Sequence, residues 1–442
     1  MKKNIILKRF SILLLVLLLT TSLFSSCEKN TNETTSVNQE ENTILPKTNK
    51  DLAEFLMKAI KQDEYTNLYK YASEDLKKII DEEAFIDQFK NEKKIGGNLQ
   101  SYTFNQPKDS EGYTVFEVEA QFDNFSSKYN ISTKDTKISG FFIKDKFFKD
   151  GFIIKKDNKI TEKRFLYKQN DMNINACYTF IDDNQKHPLV ILIPGSGVSD
   201  LDSTMGVLKQ FEDIANLLAK NGINSIRMDK ITVNFADKFK STDKIYDEYS
   251  NFYSIVDYAK KLENVSDIHL LGHSLGGVIA ADIAKDSKDI KSIIVLNSTA
   301  RNMGDLLYDQ LKNLYPDKES EYKELTQKII NANESNCKGE DLFGASDYYW
   351  ASLNKIDTIA NIKKANVDTL IINSGNDSQA FDADVNLWKS SFSSNPKVKL
   401  ETLEKSSHIV YEINYLPTNQ TSLYKKASLP EKFEKIIMDF LK

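Results

Sequence analysis

Ser274 lies in the segment Gly272-His273-Ser274-Leu275-Gly276, after an apolar run that ends at residue 271. The apolar run predicts a buried strand, and the small residues from Val278 onward predict a helix. A serine on such a tight strand-to-helix turn exposes its hydroxyl at the carboxyl end of a sheet, above a helix N-terminus that favours negative charge. The pattern indicates nucleophilic attack by serine on a carbonyl. The alternative is a glycine-rich turn that contains an incidental serine.

A serine hydroxyl is a weak nucleophile until a base removes its proton. The chain has four histidines, His187, His269, His273 and His408. His273 adjoins the serine, but side chains of neighbours at a sharp turn point apart. His269 lies inside a predicted strand, where a structural role is expected, and His187 is predicted to lie in a surface loop. No pair of histidines has zinc-ligand spacing, so we predict neither a metal nor a cofactor.

The elements around this serine alternate between strands and helices from about residue 160 onward. This order predicts a mostly parallel sheet that is covered by helices on both faces. The predicted strands are residues 163–167, 174–181, 189–193, 223–228, 268–271, 292–297, 369–372 and 398–403, and the predicted helices are 207–221, 246–262, 380–392 and 430–441.

Two short sequence motifs lie at the ends of strands in this predicted sheet. Pro194-Gly195-Ser196-Gly197 precedes Asp200 and Asp202, and Arg227-Met228-Asp229-Lys230 ends a later strand. With the Gly-x-Ser-x-Gly turn, they resemble the α/β-hydrolase fold across residues 160–442, and within it the bacterial serine aminopeptidase and acyl-esterase branch related to prolyl oligopeptidases. Pro194 replaces that branch's His, Val198 replaces its Pro, and Ile231-Thr232-Val233-Asn234 replaces its Arg-Gly-x-Gly after Lys230.

The resemblance implies a Ser-His-Asp triad with Ser274 as the nucleophile and His408 as the base. His408 follows the last strand, as the fold requires, and the acid should follow the strand at residues 369–372. Asp377 is our choice because it ends a Gly-x-x-Asp turn there. Asp382 and Asp384, just beyond, are the alternatives.

The same resemblance implies an oxyanion hole built from two backbone amides. One is the amide of Leu275, and the other comes from the loop after residue 193, where we favour Ser196 over Gly195. The carboxylates in this loop are substrate anchors or loop caps, and we favour caps. The insertion at about residues 301–360 is the expected lid, in which Tyr348-Tyr349-Trp350 either packs internally or contacts the substrate.

The beginning of the chain predicts export. Basic residues between Lys2 and Arg9 precede an apolar run at residues 12–19, and the segment ends at Cys27. This pattern is a secretory signal, and residues 1–27 resemble a bacterial lipoprotein signal with Cys27 as the lipidated residue. The alternative is an ordinary cleaved signal. Residues 28–49 are polar and predict a flexible linker, so the expected location is the extracytoplasmic face of the cell membrane.

Residues 50–150 form a separate predicted domain. Helical patterns, among them one around residues 76–89, precede strand-like alternation at residues 102–104, 113–122 and 138–144. Helices followed by antiparallel strands indicate an α+β unit, and the order resembles the small cone-shaped module of the nuclear transport factor and cystatin-like superfamily. We predict a spacer or docking role for it.

The composition sets further bounds. The net charge of −5 gives no support for nucleic-acid binding. Cys177 and Cys337 have no metal-ligand spacing and are expected to be free thiols, with a disulfide as the alternative. The leading hypothesis is therefore a serine hydrolase of small carboxylic or acyl esters. A peptidase or acyltransferase with the same triad is the enzymatic alternative, and a ligand-binding lipoprotein without activity is the second; the oligomeric state is not predicted.

Overall fold

The computed structural model describes residues 45–157, 159–417 and 421–442. The predicted signal, Cys27 and nearly all of the linker lie outside these residues. The described chain divides after Lys146 into two compact units. In the described part, no helix combines the length and the apolar character that a membrane span requires.

The first unit places three helices before an antiparallel sheet. Its elements are α1 (Asn49–Gln62), α2 (Glu74–Ile79), α3 (Glu82–Gly96), β1 (Leu99–Phe104), β2 (Lys108–Ser110), β3 (Tyr113–Phe122), β4 (Phe125–Lys134) and β5 (Lys137–Phe148). β1, β2 and β4 pair antiparallel with β3, and β5 lies beside β4. α1 contacts β1, β3 and β4 and buries Leu52, Leu56 and Ile60. The likeness to the cone-shaped module stays a prediction.

One prediction for this unit was wrong, and one strand was not predicted. The helix around residues 76–89 is two helices, because the Asp81 side chain accepts a hydrogen bond from the backbone of Ala84 and starts α3 there. β4 had no prediction, since Ser127 and Thr133 occupy two of its buried positions and interrupt the apolar alternation that would identify it.

The second unit alternates strands and helices. Its elements are β6 (Phe152–Lys155), β7 (Ile160–Gln169), β8 (Met172–Ile181), β9 (His187–Ile193), β10 (Thr204–Met205), β11 (Leu208–Lys209), α4 (Gln210–Lys220), β12 (Asn224–Met228), α5 (Thr232–Phe235), α6 (Ile245–Glu248), α7 (Ser250–Ala259), β13 (Val265–His273), α8 (Leu275–Ala284), β14 (Ile290–Leu296), α9 (Met303–Leu314), α10 (Glu319–Ile330), β15 (Asp341–Leu342), β16 (Ala345–Ser346), α11 (Asp347–Leu353), α12 (Thr358–Ala365), β17 (Asp368–Asn376), α13 (Asp382–Phe392), β18 (Val398–Ser407) and α14 (Glu431–Leu441).

Nine of these strands form one mixed sheet in the order β18-β17-β14-β13-β9-β12-β8-β7-β6. The six strands from β18 to β12 are parallel, and β8, β7 and β6 continue the sheet as antiparallel strands. The chain passes from β9 to β12 on one side and then to β13 on the other. This reversal opens a crevice at the carboxyl ends of β9 and β13, where ligands bind in open α/β sheets.

The sheet is buried on both faces, as the apolar runs predicted. In β9, Leu189, Ile191 and Ile193 pack with α7 and α8, whereas Val190 and Leu192 pack with α4 and α14. Because successive side chains of a strand point to opposite faces, a continuous apolar run fits a strand that is covered by helices on both sides. The predicted fold class is therefore confirmed.

Three local predictions for this unit need correction. The helix expected from residue 207 begins at Gln210, because the chain first makes the β10–β11 hairpin, which turns through Gly206 at a φ of 62°. The helix expected over residues 246–262 is divided at Tyr249 into α6 and α7. His187 begins β9 instead of lying in a loop, and its ring contacts Asp183 and the carbonyl of Gly222.

The insertion between β14 and β17 is mostly helical. It contains α9, α10, α11 and α12, and the short β15–β16 hairpin interrupts them. The Trp350 indole donates a hydrogen bond to the carbonyl of Leu342 in that hairpin, so one aromatic residue of this segment packs inside the insertion itself.

Candidate active site

Ser274 lies on a strained turn between β13 and α8. Its φ of 55° and ψ of −126° are unfavourable for a residue with a side chain, and such strain is concentrated at functional sites. A Cβ at Gly272 would lie 2.1 Å from the carbonyl oxygen of Gly276, and one at Gly276 would lie 2.1 Å from that of Ile193. Both glycines are therefore required sterically, and the turn presents the serine at the crevice.

His408 follows β18 and meets Asp377, which follows β17. Its Nδ1 lies 2.9 Å and 2.8 Å from the two carboxylate oxygens of Asp377, and the two side chains are only 5% and 3% exposed. The same carboxylate accepts hydrogen bonds from the backbone amides of Gln379 and Ala380. A proton held on Nδ1 by the carboxylate leaves Nε2 as the basic nitrogen.

The backbone of His408 is held by two further buried residues. The side-chain amide of Asn297 donates to the His408 carbonyl at 2.7 Å, and Nε2 of His273 lies 2.8 Å from the same oxygen. The rings of His273 and His408 are 4.9 Å apart. His273 therefore supports the backbone of His408, and Asn297, for which we predicted no role, does the same. Asn297 directly follows β14, at the carboxyl edge of the sheet, and this position could have identified it as a residue near the active site.

Burial and, to a smaller extent, the nearby His408 together lower the pKa of His273 to about 3, against the opposing effect of the hydrogen bond to the His408 carbonyl. Burial also lowers the pKa of His269 to about 4, while its Nδ1 lies 2.6 Å from the Ser292 hydroxyl. Both histidines are therefore neutral in the folded protein near pH 7, which suits structural positions.

These two histidines predict a loss of stability in acid. The unfolded chain binds their protons below about pH 6.5, whereas the folded chain does not until about pH 4 for His269 and 3 for His273. The free energy of unfolding should therefore fall below pH 6.5 by about 1.4 kcal/mol per pH unit for each residue. Urea unfolding can be followed by tryptophan fluorescence, since Trp350 and Trp388 both lie in the second unit.

The control for this prediction is His273→Gln, whose amide can still donate to the His408 carbonyl but does not titrate. Between pH 6.5 and 4.5 this variant should lose about 2 kcal/mol less stability than the wild type, because the contribution of His273 is absent and those of the other titrating groups are shared by both proteins. Identical losses in the two proteins would contradict a neutral, buried His273.

The residues that carry the predicted oxyanion donors, Leu275 and Ser196, line the same cavity as Ser274. Leu275 is the first residue of α8, where backbone amides have no acceptor within the helix. A Cβ at Gly195 would lie 3.0 Å from the Cβ of Ser274 and 3.5 Å from its hydroxyl oxygen, so the loop after β9 directly faces the nucleophile. Ser196, the next residue in this loop, lines the same cavity as Ser274 and His408.

The alternative acids have other partners. Asp384 is fully buried, binds the Arg301 guanidinium at 2.9 Å and 3.0 Å, and accepts a hydrogen bond from Thr299. Asp382 lies in the first turn of α13. Neither residue is among those that line the cavity.

The two loop carboxylates also have structural partners. Asp200 accepts hydrogen bonds from the amide and the hydroxyl of Thr204. Asp202 contacts Nε of the buried Arg227 at 2.8 Å and Nζ of Lys209 at 3.3 Å. These contacts are those of loop caps, the role we favoured.

A cavity of about 730 Å³, its open mouth included, lies above Ser274. Its apolar wall comes mainly from the insertion, and most of the polar members come from the loops, with Gln310 on α9 as an exception. The lining residues are Ser196, Ser274, Leu275, Asn297, Thr299, Met303, Leu306, Leu307, Gln310, Tyr349, Trp350, Leu353, Gln379, Ala380 and His408. The sequence left open whether this aromatic segment faces the substrate. In the structure, Tyr349 and Trp350 both line the cavity above the serine. Gln310 and Gln379 had no predicted role.

The described residues contain no group of three or more His, Cys, Asp or Glu side chains arranged to hold a metal ion. Cys177 is a buried free thiol in β8, and Cys337 is a half-buried free thiol in the insertion. Burial raises the pKa of Cys177 to about 11.

Comparison with known proteins agrees with this architecture. Residues 188–329 match the family model described as the alpha/beta hydrolase fold. The chain thus carries an α/β-hydrolase fold in its second unit. It is similar to Esterase EstD of Thermotoga maritima, with 28% identity over 251 residues, which are 55% of this chain and 60% of that protein. The chain thus spans less than two thirds of the length of this relative.

Two solved structures are also similar. Est1E from Butyrivibrio proteoclasticus, determined with bound ferulic acid, has a TM-score of 0.44 and 19% identity, and the match covers 63% of this chain and 99% of that one. The acylaminoacyl peptidase of Pyrococcus horikoshii has a TM-score of 0.45 and 13% identity, and the match covers 77% of this chain and 55% of that one.

Proposed function

We propose that the chain is a serine esterase that hydrolyses uncharged carboxylic esters. The observation that carries this proposal is that Ser274, on its strained turn, shares a cavity with His408, whose Nδ1 contacts the buried Asp377. A nucleophile, a base and a group that orients the base are the parts that acyl transfer requires.

In the proposed mechanism, Ser274 Oγ attacks the ester carbonyl while Nε2 of His408 removes its proton. Asp377 stabilises the imidazolium that forms, and the amides of Leu275 and Ser196 stabilise the negative oxygen. The imidazolium then protonates the leaving alcohol, and an acyl-enzyme remains. Water, activated by His408, releases the acid by the reverse sequence and restores Ser274.

The composition of the cavity wall favours esters over peptides with a free amino terminus. An aminopeptidase must bind the substrate's ammonium group, and burying a charge without a partner is costly. Among the described residues, none of those lining this cavity is an aspartate, glutamate, lysine or arginine. The apolar side chains of α9 and α11 instead match an uncharged acyl or alkyl group. A peptidase or acyltransferase with the same triad is the alternative.

The test compares two substrate series with the purified protein. p-Nitrophenyl acetate, butyrate and octanoate should be hydrolysed with kcat/KM values at least about 100-fold above those of alanyl and leucyl p-nitroanilides, because an unpaired ammonium in an apolar site costs several kcal/mol. N-acetylated anilides control for the amide bond. If the free-amine anilides were turned over faster than the p-nitrophenyl esters, the protein would be an aminopeptidase and the esterase proposal would be overturned. If added alcohols led to ester products in preference to free acids, the protein would be an acyltransferase.

We propose further that Cys27 carries a lipid that anchors the protein to the outer face of the cell membrane. The supporting pattern is the basic and apolar signal that ends at Cys27. Labelled palmitate should be incorporated into the wild-type protein in cells and not into Cys27→Ser. Equal labelling of both proteins would contradict the anchor.

A further inference from the structure

The loop after β9 is held by two buried side chains, those of Lys230 and Tyr249. The hydroxyl of Tyr249 donates a hydrogen bond to the Gly195 carbonyl at 2.6 Å, and Nζ of Lys230 donates to the same oxygen at 3.2 Å. Tyr249 also contacts the Pro194 carbonyl at 3.2 Å. Lys230 and Tyr249 are both fully buried.

This support acts on the peptide that carries the predicted oxyanion donor. The carbonyl of Gly195 and the N–H of Ser196 belong to one peptide unit, and in a trans peptide these two groups point in opposite directions. Two donors that hold the carbonyl in the interior therefore direct the Ser196 N–H away from it. The nucleophile lies against this loop, since a Cβ at Gly195 would be 3.5 Å from the Ser274 hydroxyl oxygen.

The lysine is paired inside the protein. Its ammonium lies 2.7 Å from the Glu248 carboxylate and donates to the Tyr249 hydroxyl at 3.1 Å. Burial lowers the pKa of Lys230, and the Glu248 charge raises it again. A buried ion pair is a weak source of stability, so its presence beside the active site suggests another role. Burial raises the pKa of Tyr349, which lines the cavity, and the negative charge of Glu248 raises it further.

We propose that Lys230 and Tyr249 are positioning residues for the oxyanion hole. By binding the Gly195 carbonyl, they orient the Ser196 N–H toward the oxygen that becomes negative during attack by Ser274. A donor on the carbonyl also polarises the amide, which makes its N–H a stronger donor. This inference rests on the proposed esterase function. It also gives a role to the Arg227-Met228-Asp229-Lys230 segment, to which the mechanism assigns none.

The test is Tyr249→Phe, which removes the hydroxyl and keeps the ring. We expect kcat for p-nitrophenyl butyrate to fall about 10- to 100-fold, less than for the loss of an oxyanion donor itself, while KM changes by less than about twofold. The Ki of an alkylboronic acid, which forms a tetrahedral adduct with the serine, should rise by the same factor as kcat falls. Lys230→Met should have a similar effect, and Lys230→Arg should recover part of the activity.

Tyr253→Phe is the matched control. Tyr253 lies in α7, about one turn after Tyr249, and donates a partly buried hydrogen bond to Asp282 at 2.7 Å, away from the oxyanion loop. It should keep kcat and the boronic acid Ki within about twofold of the wild type. Equal losses in Tyr249→Phe and Tyr253→Phe, or a loss confined to KM, would overturn the inference and leave the esterase intact. A folded wild type without activity or serine labelling would overturn the proposed function and this inference together.

Discussion

Ser274→Ala is expected to lower kcat for p-nitrophenyl butyrate by about 10³- to 10⁶-fold and to abolish labelling by a fluorophosphonate probe. The reason is that alanine cannot form the acyl-enzyme, so only binding and the oxyanion donors could still assist water. The fold should persist, because the change removes one oxygen atom and keeps the Cβ on the turn. Circular dichroism and the urea midpoint check that it does.

Ser266→Ala serves as the control for this prediction. Ser266 is exposed and lies in β13, the same strand that leads to Ser274, so its loss should leave both kcat and labelling unchanged. Undiminished labelling of Ser274→Ala would identify a different nucleophile and contradict the proposed mechanism.

Asp377→Asn is expected to lower kcat by about 10²- to 10⁴-fold with little change in KM. The amide can still contact Nδ1 of His408, but it offers no negative charge to the imidazolium and permits the wrong tautomer. The two backbone amides that bind the Asp377 oxygen can donate to the asparagine oxygen as well, so the loop should keep its shape. The measurement is steady-state kinetics at several pH values.

Two neighbouring carboxylates control for this second prediction. Asp382→Asn should have wild-type kinetics, since Asp382 is exposed. Asp384→Asn should lower the free energy of unfolding by about 1 to 3 kcal/mol, because Arg301 loses one of its two carboxylate partners and keeps only Asp309. A folded Asp382→Asn or Asp384→Asn protein with a greater loss of kcat than Asp377→Asn would move the acid to that residue.

Local patterns predicted most of the second unit. The apolar run of β9 and the small residues of α8 indicated a buried strand and a closely packed helix, and both are present. The element boundaries were less predictable. Tyr249 divides a helix that its sequence would allow to continue, and its hydroxyl reaches Gly195, 54 positions earlier in the chain. Local propensity carries no information about such a contact.

In the candidate site, too, some residues could be predicted from local sequence and others could not. Ser274 was predictable because its turn has room only for glycine at positions 272 and 276, and this requirement is visible in the local sequence. Asp377 and His408 were chosen for their places after two strands, and β17 and β18 are adjacent, with Asn376 opposite Ser407. Their catalytic roles stay predictions until the variants are measured.

The sequence by itself determined the alternation of strands and helices and the turn at Ser274, because both depend on residues that are close in sequence. The order of the candidate triad along the chain followed from the resemblance to a known fold. Only the tertiary structure decided that Asn297 holds a carbonyl 111 positions away, that Lys230 supports the loop facing the serine, and that the wall of the cavity is apolar. Those features depend on distances between remote segments, which folding sets and which residue types alone do not reveal.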